Sequence, residues 1–81
     1  MTVTTTTQVA KTLDARGLSC PLPIVKTALA IRELVSGDVI EVLATDPGST
    51  KDFTAWAKTT GHTLVESSVD GKVFRYVLRK K

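Results

Sequence analysis

One cysteine and its neighbours are the part of the sequence best suited to chemistry. Cys20 is the only cysteine in the chain, and Pro21 and Pro23 follow it at the start of an apolar run. Proline fits the first turn of a helix, where its missing N–H has no intrahelical partner. We therefore expect Cys20 to be the N-cap of a helix that begins at Pro21, with its thiolate stabilised by the Leu22 amide and the helix dipole.

This position predicts a modestly lowered pKa for the Cys20 thiol. A surface dipole interaction of about 0.3 to 1 kcal/mol lowers a pKa by less than about one unit. From a free value of about 8.5, a useful minority of thiolate is then present near neutral pH. Arg16 and Lys26 are the candidates for a further cation that would lower the pKa more.

The residues that the sequence lacks narrow the chemistry of this thiol. A single cysteine forms neither an internal disulfide nor a CxxC pair, so the chain cannot resolve its own disulfide. The only histidine, His62, opens a predicted strand, and nothing supports its pairing with Cys20 as a catalytic base. The sequence has too few ligands for a zinc site and no glycine-rich phosphate loop, so we predict no metal and no cofactor. Accepting a sulfur atom and passing it on needs only a thiolate and a partner.

Turn-forming residues divide the sequence into six segments with alternating strand and helix patterns. In chain order, the patterns predict a strand at 9–16, a helix at 22–35, a strand at 38–45, a helix at 49–60, and strands at 62–69 and 72–80. The order is therefore β-α-β-α-β-β.

The two predicted helices are both amphipathic. In the first, seven apolar residues recur at spacings of three and four and predict one wide buried face: Leu22, Ile24, Val25, Ala28, Leu29, Ile31 and Val35. In the second, Ser49 and Asp52 approximate a capping box, and Phe53 and Trp56 are expected to pack in the core.

The strands predict a mixed sheet with one covered face. A helix joins the first two strands, which makes them parallel with a right-handed crossover. The last two strands flank Asp70-Gly71, a two-residue turn typical of an antiparallel hairpin. In the last strand Phe74, Tyr76 and Leu78 share one face. We predict an α/β (α+β) two-layer sandwich in which two helices cover one face of a mixed four-stranded sheet.

Composition and charge indicate a small cytoplasmic protein. The 81 residues are 42% hydrophobic and carry a formal charge of +3, which fits one globular domain. We expect residues 1–8 to be a flexible tail and residues 9–81 to be that domain. The sequence has neither a signal peptide nor an apolar run long enough for a membrane span. The basic C-terminus permits an acidic or nucleic-acid partner without requiring one.

The stretch Leu13 to Pro23, LDARGLSCPLP, closely resembles the signature of the TusA-like sulfur-carrier proteins, also called the SirA or YedF type. The hallmark of that family is a Cys-Pro-x-Pro motif that opens the first helix. The stretch DPGSTKD at 46–52 and the closing hairpin are also similar to the family. The resemblance covers residues 11 to 80 and implies the same order of helices and strands.

The resemblance also implies a function and a set of site residues. Cys20 would receive sulfur as a persulfide and hand it to a partner protein. The residues matching the motif, which would shape the site, are Asp14, Arg16, Gly17, Pro21, Leu22 and Pro23. Those matching the second loop, which would dock partners, are Asp46, Lys51 and Asp52.

The implied partners are other proteins of a sulfur relay. A cysteine desulfurase or a rhodanese would supply sulfur, and a DsrE/TusD-like protein or a tRNA-thiolation enzyme would accept it. Such relays feed tRNA thiolation, molybdenum cofactor maturation or sulfur oxidation. Direct binding of nucleic acid is not expected, because the sequence has neither a GxxG clamp nor an aromatic RNP pattern.

Three alternatives remain open at the level of sequence. The cargo could be a thiosulfonate in dissimilatory sulfur metabolism, because the same thiolate would carry it. A small basic α/β domain could also bind RNA. A regulatory module that binds other proteins is the third alternative, and under it Cys20→Ser would leave function intact.

Overall fold

The computed structural model describes residues 9–81, so the predicted flexible tail at 1–8 lies outside the described residues. The predicted order β-α-β-α-β-β is confirmed. The elements are β1 (Lys11–Ala15), α1 (Leu22–Ile31), β2 (Val39–Ala44), α2 (Ser49–Thr60), β3 (Thr63–Asp70) and β4 (Val73–Arg79). Neither α1 nor α2 has the length and apolar character of a membrane-spanning helix.

The sheet has the strand order β1-β2-β4-β3. β1 and β2 are parallel, and β4 runs antiparallel to both of its neighbours, as the predicted mixed sheet requires. Ala15 at the end of β1 pairs with Ala44 at the end of β2. The loops that lead into α1 and α2 therefore leave the sheet side by side. This register positions the candidate site.

Both helices pack on one face of the sheet, which confirms the predicted two-layer sandwich. Ile40, Val42, Tyr76 and Leu78 project from the sheet into the core and are fully buried. Phe53 of α2 stacks on Tyr76 with ring centroids 4.6 Å apart. The remaining buried core residues are Ala15, Ala30, Ile31, Ala44 and Ala57, and the half-buried Trp56 packs against them.

The predicted buried face of α1 is wrong in part. The helix ends at Ile31 instead of Val35, and its buried residues are Pro23, Thr27, Ala30 and Ile31. Leu22, Val25 and Leu29 remain 46%, 44% and 56% exposed. Both sets of residues have helical spacing, and the buried set includes a threonine. Thr27 can be buried because its hydroxyl donates to the Pro23 carbonyl at 2.7 Å.

The predicted cap of α2 is also wrong. Gly48 is the N-cap, and no side chain caps the helix. Ser49 lies inside the first turn, and its hydroxyl is 2.6 Å from the Tyr76 hydroxyl. Because Ser49 is buried, its hydroxyl needs a partner in the core. A tertiary contact therefore replaces the local capping bond.

The hairpin turn lies one residue later than predicted. Asp70 pairs with Val73, so the two turn residues are Gly71 and Lys72. Gly71 has a φ of +63°, and no residue other than glycine within 9–81 has a positive φ. A positive φ at the first turn position alone is typical of a type II′ turn, which favours glycine there.

Candidate functional site

The site forms where the loops after β1 and β2 meet. The Gly17 amide donates to the Thr45 hydroxyl at 2.9 Å. The Cys20 amide donates to Asp46 Oδ2 at 3.2 Å. Thr45 and Asp46 directly follow β2, so the end of that strand holds the cysteine loop in place. Thr45 was not among the predicted site residues. Only its position between a buried strand and the Asp-Pro-Gly turn could have indicated it.

Arg16 is engaged by Asp14 and does not serve the thiol. Its guanidinium makes a bidentate contact with the carboxylate, with Nε to Oδ1 at 2.8 Å and Nη2 to Oδ2 at 2.9 Å. The Arg16 amide also donates to Oδ1, at 3.1 Å. These hydrogen bonds lower the pKa of Asp14 to about 2. The pair therefore fixes the start of the loop. Gly17 follows with a φ of +83°, which a side chain would strain.

The predicted N-cap role of Cys20 is wrong. Pro21 is the N-cap, the helix begins at Leu22, and no side chain caps it. The Leu22 amide donates to the Ser19 carbonyl at 2.8 Å instead of to the sulfur. The peptide bond between Cys20 and Pro21 is cis. The thiol therefore lacks the amide contact that the sequence predicted.

Two carboxylates surround the exposed thiol instead. Cys20 Sγ and one carboxylate oxygen each of Asp46 and Asp52 lie within 4.8 Å of one another. The pKa of the Cys20 thiol is raised. The largest cause is Asp52, whose carboxylate stabilises the thiol proton as a hydrogen-bond acceptor. Desolvation and the negative charges of Asp52 and Asp46 raise it further. The predicted lowering of the pKa is therefore wrong, because nearby negative charge disfavours a thiolate.

We call Cys20 Sγ with the carboxylates of Asp46 and Asp52 the thiol–carboxylate cluster. Asp46 is anchored by the Cys20 amide, and Asp52 lies in the first turn of α2. One sulfur and two carboxylates fall short of the four ligands of a structural zinc site. The sequence could not reveal this cluster, because Asp46 is 26 residues from Cys20 along the chain.

The other predicted site residues are not part of this cluster. In α1, Leu22 is exposed and Pro23 is on the buried face of the helix. Lys26 and Lys51 are exposed on α1 and α2 respectively. The structure thus brings together Cys20, Asp46 and Asp52 from the predicted set. The roles predicted for the remaining residues stay predictions.

His62 lies at the opposite end of α2 from the thiol–carboxylate cluster. Asp52 is in the first turn of the helix and His62 follows its last residue, a distance of roughly 15 Å at 1.5 Å per residue. The Lys81 amide donates to His62 Nδ1 at 3.0 Å, and the imidazole packs on Trp56 with centroids 5.2 Å apart. Burial, with Lys80 and Lys81, lowers the pKa of His62. The described residues therefore provide no Cys-His pair.

Fold and site together define a small two-layer α+β protein with one exposed cysteine in the loop between β1 and α1. A family model described as sulfurtransferase TusA matches residues 11–80. The chain therefore belongs to the TusA family, as the resemblance of its cysteine motif implied.

Several relatives are similar over most of this chain. The sulfur carrier protein TusA of Allochromatium vinosum is 50% identical over 68 residues, which are 84% of this chain and 90% of that protein. The YrkF protein of Bacillus subtilis is 52% identical over 68 residues, and the match spans only 37% of its length. The crystal structure of a SirA-like protein from Desulfitobacterium hafniense superposes with a TM-score of 0.75 at 28% identity, covering 85% of this chain and 95% of that one.

Proposed function

We propose that this protein carries sulfane sulfur on Cys20 as a persulfide and passes it to a partner protein. The observation that supports the proposal most strongly is the exposed Cys20 thiol, set in the Cys-Pro-Leu-Pro motif of a chain that the TusA family model matches. On loading, the Cys20 thiolate attacks the outer sulfur of the donor's persulfide. One S–S bond forms, the donor's S–S bond breaks, and the donor cysteine leaves as a thiolate.

Unloading repeats the same chemistry in the other direction. An acceptor thiolate attacks the outer sulfur on Cys20, and Cys20 leaves as a thiolate that then takes up a proton. The step requires no oxidant, because the sulfur atom keeps its oxidation state. It also requires no general base, because the acceptor attacks as a thiolate, which is consistent with the position of His62 far from the cluster.

The charge of the cluster favours a persulfide cargo over a thiosulfonate. A thiosulfonate on Cys20 would place a permanent negative charge beside Asp46 and Asp52, and like charges at this range repel each other. A persulfide can be protonated and so can avoid that repulsion. The thiosulfonate carrier is therefore the second candidate, and we expect it to load poorly.

The relay partners that we propose are those that the resemblance to the family implies. A cysteine desulfurase or a rhodanese would be the donor, and a DsrE/TusD-like protein or a tRNA-thiolation enzyme the acceptor, in a cytoplasmic setting. The pair Asp14–Arg16, with Gly17, would hold the loop in the shape that partners bind. The RNA-binding alternative has less support: in β4, Arg75 is already paired with Glu41 and Glu66.

Loading can be tested by measuring the intact mass of the reduced protein. The protein is incubated with a cysteine desulfurase plus cysteine, or separately with tetrathionate, and Cys20→Ser is the matched control. We expect the desulfurase to add the mass of sulfur to the wild type alone, in a form that dithiothreitol removes. If the wild type gains no mass while its thiol is shown to be free, the carrier proposal is wrong. The regulatory alternative, which does not need the thiol, then takes its place.

A further inference from the structure

The thiol–carboxylate cluster has features that sulfur transfer alone does not require. A thiolate is both the attacking group during loading and the leaving group during unloading. Negative charge beside it opposes both steps, because it favours the protonated thiol. Yet Asp46 and Asp52 are half-buried, with carboxylate oxygens within 4.8 Å of the sulfur. The two carboxylates therefore reduce the fraction of Cys20 that is present as the reactive thiolate.

Backbone hydrogen bonds hold the Asp46 carboxylate in place. Asp46 Oδ2 accepts from the Cys20 amide at 3.2 Å, and Asp46 Oδ1 accepts from the Gly48 amide at 3.5 Å. The Asp46 carbonyl also accepts from the Ser49 amide at 3.0 Å, at the start of α2. Asp52 follows in the first turn of that helix. The Asp46 carboxylate is therefore anchored beside Cys20, and the first turn of α2 brings the Asp52 carboxylate within 4.8 Å of the same sulfur.

The basic residues around the site leave this negative charge uncompensated. In the loop after β1, Arg16 is bound to Asp14 by two side-chain hydrogen bonds. Lys26 on α1 and Lys51 on α2 are exposed. The charged groups that act on the thiol are Asp52 and Asp46, both negative. Within residues 9–81 neither Asp46 nor Asp52 forms a salt bridge with a lysine or arginine, so both carboxylates are open to a cation from another molecule.

We propose that Asp46 and Asp52 form an electrostatic gate, which keeps Cys20 weakly reactive until a partner protein places a lysine or arginine side chain beside the two carboxylates. The gate makes exchange at Cys20 selective for partners with a cation next to their reacting sulfur. It protects the carried sulfur from small anionic thiols. The role of the gate in sulfur transfer rests on the proposed function. The charge selectivity of the Cys20 thiol does not, because it can be measured without any carried sulfur.

Thiol–disulfide exchange with charged probes tests the gate without any sulfur loading. In each reaction the Cys20 thiolate attacks one sulfur of the probe, a mixed disulfide forms, and the other half of the probe leaves as a thiolate. The three probes are cystamine, which is cationic, hydroxyethyl disulfide, which is neutral, and dithiodipropionate, which is anionic. Second-order rate constants are measured at neutral pH and at low and high salt.

Simple electrostatics gives the expected size of the effect. Two unit charges 4 Å apart in water change a rate constant about fivefold, and two carboxylates act together here. Because the three probes release thiols of different pKa, each rate constant is divided by that of the same probe with a small free thiol, mercaptoethanol. We expect this ratio to be about tenfold larger for cystamine than for the neutral probe at low salt, and smallest for the anionic probe. High salt should reduce these differences, because exposed charges are screened.

Asparagine substitutions test whether Asp46 and Asp52 cause the charge selectivity of exchange at Cys20. Asp46→Asn and Asp52→Asn keep the size and the acceptor oxygen of each side chain, and Asp70→Asn, at the exposed hairpin, is the matched control. The first two variants should react faster with the neutral probe and lose much of the preference for cystamine. They should also shift the pH profile of alkylation to lower pH, whereas Asp70→Asn behaves as the wild type.

The outcomes separate this proposal from the proposed function. Equal normalised rate constants for the three probes in the wild type would overturn the gate, as would a normalised preference for cystamine that survives both substitutions. If Asp46→Asn fails to fold, Asp52→Asn and the salt dependence decide the question. Charge selectivity in a protein that cannot be loaded with sulfur would leave the gate in place and refute only the carrier function. Sulfur loading without charge selectivity would support the carrier function and refute the gate.

Discussion

The hydroxyl group of Tyr76 should stabilise the fold and position the site together. Tyr76 is fully buried in β4, and its hydroxyl lies 2.6 Å from that of Ser49 and 2.9 Å from that of Thr50. Both partners are in the first turn of α2, which also carries Asp52. Tyr76→Phe leaves the buried Ser49 hydroxyl without this partner, at a cost of about 1 to 3 kcal/mol.

Urea unfolding of Tyr76→Phe, Ser49→Ala, the double variant and Thr50→Ala measures this effect. Tyr76→Phe should lower the free energy of unfolding by about 1 to 3 kcal/mol, and adding Ser49→Ala should recover part of the loss, because no buried hydroxyl then remains unpaired. Thr50→Ala is the control: Thr50 is exposed, so its loss should cost little. If Tyr76→Phe is as stable as the wild type, or if the double variant loses the sum of both single effects, the buried hydroxyl pair is not a stabilising contact.

Three further changes test other parts of the structure. Leu29→Ala should change the free energy of unfolding by less than about 0.5 kcal/mol, whereas Ile31→Ala should cost about 2 to 5 kcal/mol; equal losses in urea unfolding would restore the predicted buried face. Gly71→Val should lower the free energy of unfolding by about 1 to 2 kcal/mol because of the positive φ alone, since no atom lies within 4 Å of an added Cβ. An unchanged melting temperature would contradict the assignment of Gly71 to the turn. Arg16→Gln should return the pKa of Asp14 from about 2 towards 3.8 in an NMR titration. Stability from the lowered pKa is present above pH 3.8 and is lost as the pH falls through 2; an unmoved pKa in Arg16→Gln would contradict the pairing.

Local sequence patterns predicted the order of the elements and two of the three strand pairings, β1 with β2 and β3 with β4. Each strand and helix has its own periodicity, and the glycine-containing turns bound them, so neighbours in sequence become neighbours in the sheet. The pairing of β2 with β4 had no such local signal, because α2 and β3 lie between them in the chain. The buried face of α1 was missed because Thr27 satisfies its own hydroxyl, which no hydrophobicity pattern records.

The candidate site was predicted only in part for a similar reason. Cys20 and its prolines are adjacent in sequence and were found, together with the helix that follows. The sign of the pKa shift was wrong, because Asp46 and Asp52 act through space after the parallel pairing of β1 and β2 brings their loops together. The sequence around Cys20 suggested a thiolate stabilised by a helix N-terminus. The fold instead places two carboxylates beside the thiol.

Transfer of labelled sulfur is the most direct test of whether Cys20 carries sulfur to a partner protein. The protein is loaded with radiolabelled sulfur from cysteine and a desulfurase, freed of small molecules, and mixed with a DsrE/TusD-like acceptor, beside a Cys20→Ser sample treated in the same way. We expect the label to bind only the wild type and to move to the acceptor in a dithiothreitol-labile form. Label that reaches the acceptor equally well with Cys20→Ser, or that never leaves the wild type, would contradict it.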